Sequence, residues 1–496
     1  MTSLLIQQAR IVGSETADSV GVVDVRIEAN RVVDVGPSIA ATGPDRVIQA
    51  EGRWIIPGLW DHHVHMGQWA KSAGRLQLDN TESAAEVLAQ VSEHVNELRS
   101  SGNTEGVITG AGFRTTIWQD LARTAELDAI TAGFSVVLIS GDGHCAWLNS
   151  RAYQHFGRTP EPGLIDENPW FEMYARLGEI DPKATAAEYS SVIRDAHSKG
   201  IVGITDLEYE PNHLTWPARV TEGIGRLRVR AGFYPDSLDD VLSRGLRTND
   251  TLTELVRLGP LKIISDGSMS ALTAYCCEPY APDPLHPRGK HNYLEAELVE
   301  LLTLASENGL EVALHAIGDA AVQHALNAFE VTGARGSIEH AQLMRRPDVP
   351  RMAHLGIKAS VQPAHLLDDR LAAERIWTDR ADRCFLFGSM RDSGVAMLFG
   401  SDAPVAKLDP WLAIDAAVNR AAAGEQPWNS AEQLTPAEAL FASTDGAGPV
   451  SVGSVADLVL LDDDPLTAAP RDVHTALTMI DGDVVFDAGE IAVHLR

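Results

Sequence analysis

The first and last stretches of the chain show the short alternation of apolar and polar residues that is typical of β-strands. Val23, Val25 and Ile27 alternate with charged residues, and turn formers interrupt the run that follows. Near the other end, residues 456–461 predict a strand, and residues 478–486 predict a strand pair around an Asp-Gly turn. Neither end has enough helix to fold alone. We therefore predict that residues 1–57 and 445–496 pair into one small β-sandwich domain.

Between the two ends, apolar strand-like runs alternate with segments of helical period, such as 294–307 and 319–332. Alternating strands and helices favour a parallel sheet with right-handed crossovers. With a strand that ends near Asp61, the runs number eight, which predicts a (β/α)8 TIM barrel over residues 58–444. An open doubly wound sheet is the alternative, but no Gly-x-Gly-x-x-Gly follows an early strand. The other seven runs are 203–206, 228–234, 261–265, 312–315, 337–339, 358–361 and 397–400.

Residues from about 66 to 201 are too many for one crossover between neighbouring strands. They contain a helical run at 84–99 and a further apolar strand at 135–140. We therefore predict a long insertion after the first barrel strand, lying over the mouth of the barrel.

The composition narrows the range of partners. Lys and Arg total 40 against 69 Asp and Glu, so the net charge is −29, which disfavours nucleic acid and anionic lipid surfaces. No stretch approaches the roughly 18 apolar residues of a membrane span, and Met1–Ile11 does not resemble a secretory signal. The four cysteines form no C-x-x-C pair, which favours a reduced, cytoplasmic setting. We expect a small-molecule partner; a homo-oligomer stays open.

The strongest chemical signal is a pair of histidines, His63 and His65, at the end of the predicted first barrel strand. Residues two apart in a strand share a face, so both imidazoles can bind one metal ion, and Asp61 shares their direction. His62 should point to the opposite face and is interpreted as structural. With 17 histidines in the chain, a chance pair is the alternative.

Imidazole and carboxylate groups recur at the ends of later strands. His315 closes one apolar run, His340 follows another, and Asp402 follows Gly400-Ser401. In a barrel, the groups that carry chemistry lie at the carboxyl ends of different strands. Each residue has a structural alternative, a hydrogen-bonded core histidine or a helix N-cap. Their recurrence in order nevertheless favours a metal centre with His63, His65, His315, His340 and Asp402 as ligands.

This order of residues resembles the amidohydrolase superfamily. Flanking segments resemble its family 3, the group that contains N-substituted formamide deformylases, and the resemblance covers nearly the whole chain. It is specific for the fold and metal site and weakly specific for the substrate. The segments are 57–61, 142–144 with Trp147, Asn149 and Ser150, Lys262 with 266–268, 338–342, 361–363 with His365, and 400–404.

The resemblance implies that Lys262 is carboxylated by CO2 and bridges two divalent ions. The alternative is an unmodified Lys262 paired with Asp266 or Glu208, and some members of the superfamily hold a single ion. Nitrogen and oxygen ligands suit Zn2+, with Fe or Mn as alternatives. The ion would activate water, and Asp402 would act as the general acid–base.

Four further residues are candidates for substrate binding: His144, Trp147, Gln362 and His365. For Trp147 and Asn149, packing and capping of the insertion is an equal alternative. The resulting hypothesis is a metal-dependent hydrolase of a non-peptide C–N bond, in an amide or an N-formyl or N-acyl compound. A deaminase or an ester or lactone hydrolase on the same site is the nearest rival. A metal-stabilised binding protein without turnover is the rival from another class.

Overall fold

The structure is a computed structural model. It describes residues 3–13, 21–42, 46–73, 75–79, 81–113, 118–141, 145–179, 184–269, 272–280, 286–422, 424–489 and 493–495. The chain divides into two compact units, Met1–Met66 with Ser190–Arg496, and Gly67–Tyr189.

The larger unit contains a parallel barrel whose strand order follows the chain order, which confirms the predicted fold class. The sheet closes where the first strand meets the segment after the eighth: Asp402 N donates to His63 O at 2.7 Å, and Val64 forms a parallel bridge with Ala403. The eight strands are Leu59–Val64, Ile201–Asp206, Arg228–Phe233, Val256–Ile264, Val312–Ala316, Gly336–His340, Lys358–Val361 and Met397–Phe399. Thr251–Thr253 adds a short antiparallel strand beside the fourth.

Helices cover the outside of the barrel because each carries an apolar face at helical period. Asp319–Thr332, for example, buries Val322, Ala325 and Phe329, and it ends at Gly333, whose φ of 62° suits a left-handed C-cap. The α-helices of this unit and its junction are Ala186–Ser198, Asn212–Thr221, Leu238–Ser243, Glu295–Glu307, Asp319–Thr332, Asp348–His354, His365–Ile376, Phe387–Ser393, Pro410–Asn419 and Pro436–Ala442.

Segments from both ends of the chain form a second sheet in the same unit. Leu4–Ile11 pairs with Val23–Glu28 along its first part and with Trp54–Pro57 along its last part. Side chains from both ends share one apolar core, including Ile6 and Leu460. The strands are Leu4–Ile11, Val23–Glu28, Arg31–Gly36, Arg46–Gln49, Trp54–Pro57, Leu458–Leu461, Thr475–Ile480, Asp483–Asp487 and Val493–Leu495. The division into domains 1–57 with 445–496 and 58–444 stays a prediction.

The unit Gly67–Tyr189 corresponds to the predicted insertion and has its own five-stranded sheet and core. The sheet order is Leu164–Asp166, Cys145–Leu148, Phe134–Ser140, Gly106–Phe113 and Leu76–Gln77. Its α-helices are Met66–Ala73, Ala84–Ser100, Thr124–Ile130, Ser150–His155 and Glu167–Ala175. The position of this insertion over the barrel mouth stays a prediction.

Candidate metal centre

Side chains from the carboxyl ends of several barrel strands meet at one place. His63 Nε2 lies 3.6 Å from Asp402 Oδ1, and His65 Nε2 lies 3.1 Å from the same oxygen. Ligand atoms of His63, His340 and Asp402 all lie within 4.8 Å of one another, close enough to share a metal ion. The structure thus brings together four of the residues singled out from sequence, and nitrogen and oxygen donors of this kind suit a divalent transition metal.

Burial and neighbouring charges shift the pKa values of His63, His340 and Asp402 toward the protonation states that bind metal. Burial lowers the pKa of His63 to about 4, with the Lys262 charge adding to the effect. Burial and the nearby His315 and His63 lower the pKa of His340 well below its usual value. Burial alone would raise the pKa of Asp402, but the histidines around it outweigh this and hold the pKa well below its usual range. At neutral pH His63 and His340 are therefore neutral imidazoles and Asp402 is a carboxylate, which fits a divalent cation.

Glu339 holds His63 from the side opposite Asp402. Its Oε2 lies 2.7 Å from His63 Nδ1, and its Oε1 accepts from Ser337 Oγ at 2.5 Å. Burial would raise the pKa of Glu339, but the hydrogen bond and charge of His63 lower it to about 2. A carboxylate on the second ring nitrogen of a metal-binding histidine fixes the tautomer and orientation of the ring.

Sequence reasoning missed Glu339 because strict alternation would not place it and its neighbour His340 in one site. The backbone explains how both arrive there: His340 has φ 69° and Ala341 has φ 44°, so the regular strand ends at His340. The signal available in the sequence was Ser337-Ile338-Glu339, which puts a hydroxyl and a carboxylate on one face.

Lys262 is almost completely buried, and its Nζ lies 3.3 Å from His63 Nε2. Burial lowers the pKa of its amine, although the carboxylates of Glu339 and Asp402 oppose the shift. Among the described residues, its amine forms no ion pair with Asp266 or Glu208, the partners expected for a purely structural lysine. The Lys262 amine therefore lies beside His63, one of the candidate ligands, and its role in holding metal stays a prediction.

His315 lies at the end of the fifth strand with its ring centroid 4.5 Å from that of His340. Its Nε2 lies 3.2 Å from Gly267 O and 3.3 Å from Asp266 Oδ1. The backbone carbonyl of Gly267 therefore holds Nε2, with the Asp266 carboxylate beside it, and such a partner on one ring nitrogen is usual for a metal-binding histidine.

The prediction that His62 points away from the face of His63 is wrong. Ile204 pairs with Asp61, whereas Asp206 pairs with Val64, so the first strand contains one extra residue between Asp61 and Val64. Such a bulge breaks the alternation of side chains. His62 and His63 therefore both enter the barrel, and Asp61 instead accepts from the backbone N–H groups of Ser401 and His63.

His62 nevertheless lies outside the metal centre. It lines a cavity of about 120 Å³ with residues such as Val312, Gly336 and Lys358, which begin their strands, so the cavity lies at the amino end of the barrel. Its Nε2 is 3.8 Å from Asp445 Oδ1, and burial lowers the pKa of His62 to about 4. A structural role for His62 is consistent with this placement.

The four candidate substrate residues have different positions. Gln362 Nε2 lies 3.4 Å from His63 Nδ1, the nitrogen that Glu339 holds, and His365 Nε2 lies 4.0 Å from Asp402 Oδ2, so each lies beside a candidate ligand. Trp147 is fully buried in the apolar core of the insertion, with its ring centroid 6.3 Å from that of Trp118. Its burial agrees with the packing alternative, and a role in substrate binding stays a prediction. His144 lies outside the described residues.

Asn149 behaves as the packing alternative expected. It is the N-cap of Ser150–His155, and its side-chain oxygen accepts from Ala152 N at 3.0 Å. Its amide also donates to Thr131 Oγ1 and Phe134 O. Asn149 therefore has a structural role inside the insertion.

Comparison with known proteins shows the family of the chain. The model of a family described as the amidohydrolase family matches residues 46–486. The chain therefore belongs to the amidohydrolase family and is a metal-dependent hydrolase.

Individual relatives cover most of the chain. It is 25% identical to the N-substituted formamide deformylase of Arthrobacter pascens, over 92% of this chain and 94% of that protein. It is 28% identical to the protein LONG AFTER FAR-RED 3 of Arabidopsis thaliana, over 87% and 81%. A solved structure from Pyrococcus furiosus, titled an uncharacterized metal-dependent hydrolase, has a TM-score of 0.74 and 26% identity, over 94% and 100%. In the described part of the chain, no helix has the length and apolar character needed to cross a membrane.

Proposed function

We propose that this enzyme hydrolyses a non-peptide C–N bond of a small molecule, an amide or an N-formyl or N-acyl amine. The observation that carries the proposal is the buried group of His63, His340 and Asp402, whose ligand atoms lie within 4.8 Å of one another. The likeness to an N-substituted formamide deformylase, which spans 92% of the chain, supports the bond type. The first choice of metal is Zn2+, with Fe or Mn as alternatives.

A divalent ion in this site would polarise a substrate carbonyl and lower the pKa of a bound water toward about 7. Asp402 is the proton carrier in the proposal. It is ionised and buried, and its backbone N–H donates to His63 O at 2.7 Å, which fixes the segment beside the ligands. Asp402 is not a helix N-cap, because the next α-helix begins at Pro410 and is capped by Asp409.

Gln362 and His365 are proposed to contact the substrate. The Gln362 side chain ends beside His63, and the His365 side chain ends beside Asp402. His63 and Asp402 are both residues that would hold the ion. An amide and an imidazole at such a position can orient a carbonyl group by hydrogen bonds. A cytoplasmic location is also proposed, since all four cysteines are free thiols.

The test is a substrate panel with zinc-loaded protein: N-formyl amines, N-acyl amines, esters, lactones and aminated rings. We expect turnover of formyl or acyl amides in preference to the other classes. Preference for aminated rings would indicate a deaminase, and preference for esters or lactones would indicate the other rival. Binding without turnover across the whole panel would contradict the proposal.

We further propose that Lys262 is carboxylated and helps to hold two ions. A lowered pKa gives the neutral amine that reacts with CO2, and the amine lies 3.3 Å from His63 Nε2. We expect Lys262→Ala to lose bound metal, as measured by elemental analysis, and acetate or propionate to restore part of the activity.

A matched control is Lys358→Ala, which removes an exposed lysine at the start of the seventh strand. This control should keep full metal content. Electron density that ends at the Lys262 amine in a crystal with two bound ions would contradict carboxylation.

A further inference from the structure

Asp266 follows the fourth barrel strand and is completely buried. A buried carboxylate needs hydrogen-bond donors to offset the cost of losing water. Its Oδ2 accepts from the backbone N–H groups of Tyr275 and Gly318, each at 2.9 Å, and its Oδ1 accepts from Ile317 N at 3.1 Å. These bonds join the loop after the fourth strand to the turn after the fifth strand, so the carboxylate has a fixed place beside His315.

The environment of His315 Nε2 determines where the ring carries its proton. Gly267 O, its hydrogen-bond partner, lies 3.2 Å from this nitrogen, and Asp266 Oδ1 lies 3.3 Å from it; both atoms are acceptors. A hydrogen bond forms here only when Nε2 carries the proton. A neutral imidazole has a single N–H, so Nδ1 then keeps its lone pair.

His63 shows the opposite arrangement in the same site. Its Nδ1 lies 2.7 Å from the Glu339 carboxylate, so the proton belongs on Nδ1 and the lone pair on Nε2, the nitrogen that faces Asp402. Two buried carboxylates therefore act on two histidines through different ring nitrogens.

We propose that Asp266 is a positioning residue of the metal centre: beside Gly267 O, its carboxylate favours the Nε2–H tautomer of His315 and so leaves the Nδ1 lone pair for the ion. This inference rests on the proposed function, because it concerns a ligand of the proposed metal site. In the sequence, Asp266 stood in a segment that resembles the family and was a possible partner of Lys262, but it had no role at the metal centre. A purely structural Asp266 would join the two loops without affecting the metal.

The tautomer is tested first in the unmodified, metal-free protein. We expect 15N NMR of histidine-labelled protein to show His315 with a protonated Nε2 and an unprotonated Nδ1. The His315 signals are assigned by their loss in His315→Gln. A proton on Nδ1 would overturn the inference, and this measurement needs no variant of Asp266 that folds.

The second test compares Asp266→Asn with Asp319→Asn by zinc titration against a competing chelator. Asp319 is also completely buried, accepts from Cys277 N at 2.8 Å and pairs with Arg383 at 3.2 Å. Both substitutions should lower the melting temperature. We expect only Asp266→Asn to weaken zinc binding, by about 10–100-fold, the usual effect of losing the partner of a metal-binding histidine.

Two outcomes would refute the inference: unchanged zinc affinity in folded Asp266→Asn, or equal losses of affinity in both variants. Co2+-loaded protein provides a signature that loop stability alone would not change, since its visible absorption bands should shift in Asp266→Asn and stay in place in Asp319→Asn. A wild-type protein that binds no zinc would instead contradict the proposed function.

Discussion

Asp402→Asn should fold, keep much of its metal and lose at least about 10² in kcat, because loss of a general acid–base group typically costs 10²–10⁴ in rate. Asparagine keeps the shape of the side chain and one acceptor oxygen, but it cannot take a proton. The carboxylate lies 3.6 Å from His63 Nε2 and 3.1 Å from His65 Nε2, so it is beside the proposed ligands. The measurement is steady-state kinetics on the best amide of the substrate panel, with metal content determined on the same sample.

The matched control for Asp402→Asn is Asp409→Asn. Asp409 is the N-cap of Pro410–Asn419, and its side chain accepts from Trp411 N and Leu412 N. Asparagine is also a good N-cap, so we expect a stability change below about 1 kcal/mol and unchanged kcat. Near-normal kcat in Asp402→Asn would show that the proton moves through another group.

The parts of the fold set by local periodicity could be predicted from sequence. The strand Lys358–Val361 and the helix Asp319–Thr332 have the bounds expected from their apolar spacing. The fourth strand was predicted too short, because Gly259-Pro260 is typical of a turn. The structure continues the strand from Val256 to Ile264, since it pairs with strands on both sides. A Cβ at Gly259 would lie 2.6 Å from Gly232 N, so glycine is required by this close approach.

The parts of the site that escaped prediction depend on contacts between distant segments. The extra residue in the first strand is visible only in its pairing with the second strand, and it moves His62 into the barrel and Asp61 onto the backbone of Ser401. Glu339 likewise gains its role only from His63, which is 276 residues away in sequence. Periodicity could place the ligands at strand ends, but it could not say which carboxylates hold them.

The second large effect is expected for His63→Asn, with His62→Asn as its neighbour and control. His63 gives Nε2 to the centre while Glu339 holds Nδ1, so its loss removes a ligand and leaves the Glu339 carboxylate buried without its partner. Losing a residue that hydrogen-bonds to a metal ligand typically costs about 10–100-fold in metal affinity or activity. Loss of the ligand itself should therefore lower zinc affinity and turnover by more than about 10²-fold each. Zinc affinity by chelator competition and turnover on the same amide provide the two readouts.

His62→Asn separates this effect from general damage to the first strand. His62 is as deeply buried as its neighbour, but its Nε2 faces Asp445 at 3.8 Å, at the other end of the barrel. The variant should lose stability and keep zinc affinity, since burial of a new amide beside the Asp445 carboxylate leaves the ligands in place.

Chelator treatment of the wild type should reproduce the His63→Asn defect, and added zinc should reverse it in the wild type alone. Full hydrolytic activity in chelated, metal-free protein would rule out the proposed mechanism, because His63, His340 and Asp402 would then have no ion to hold.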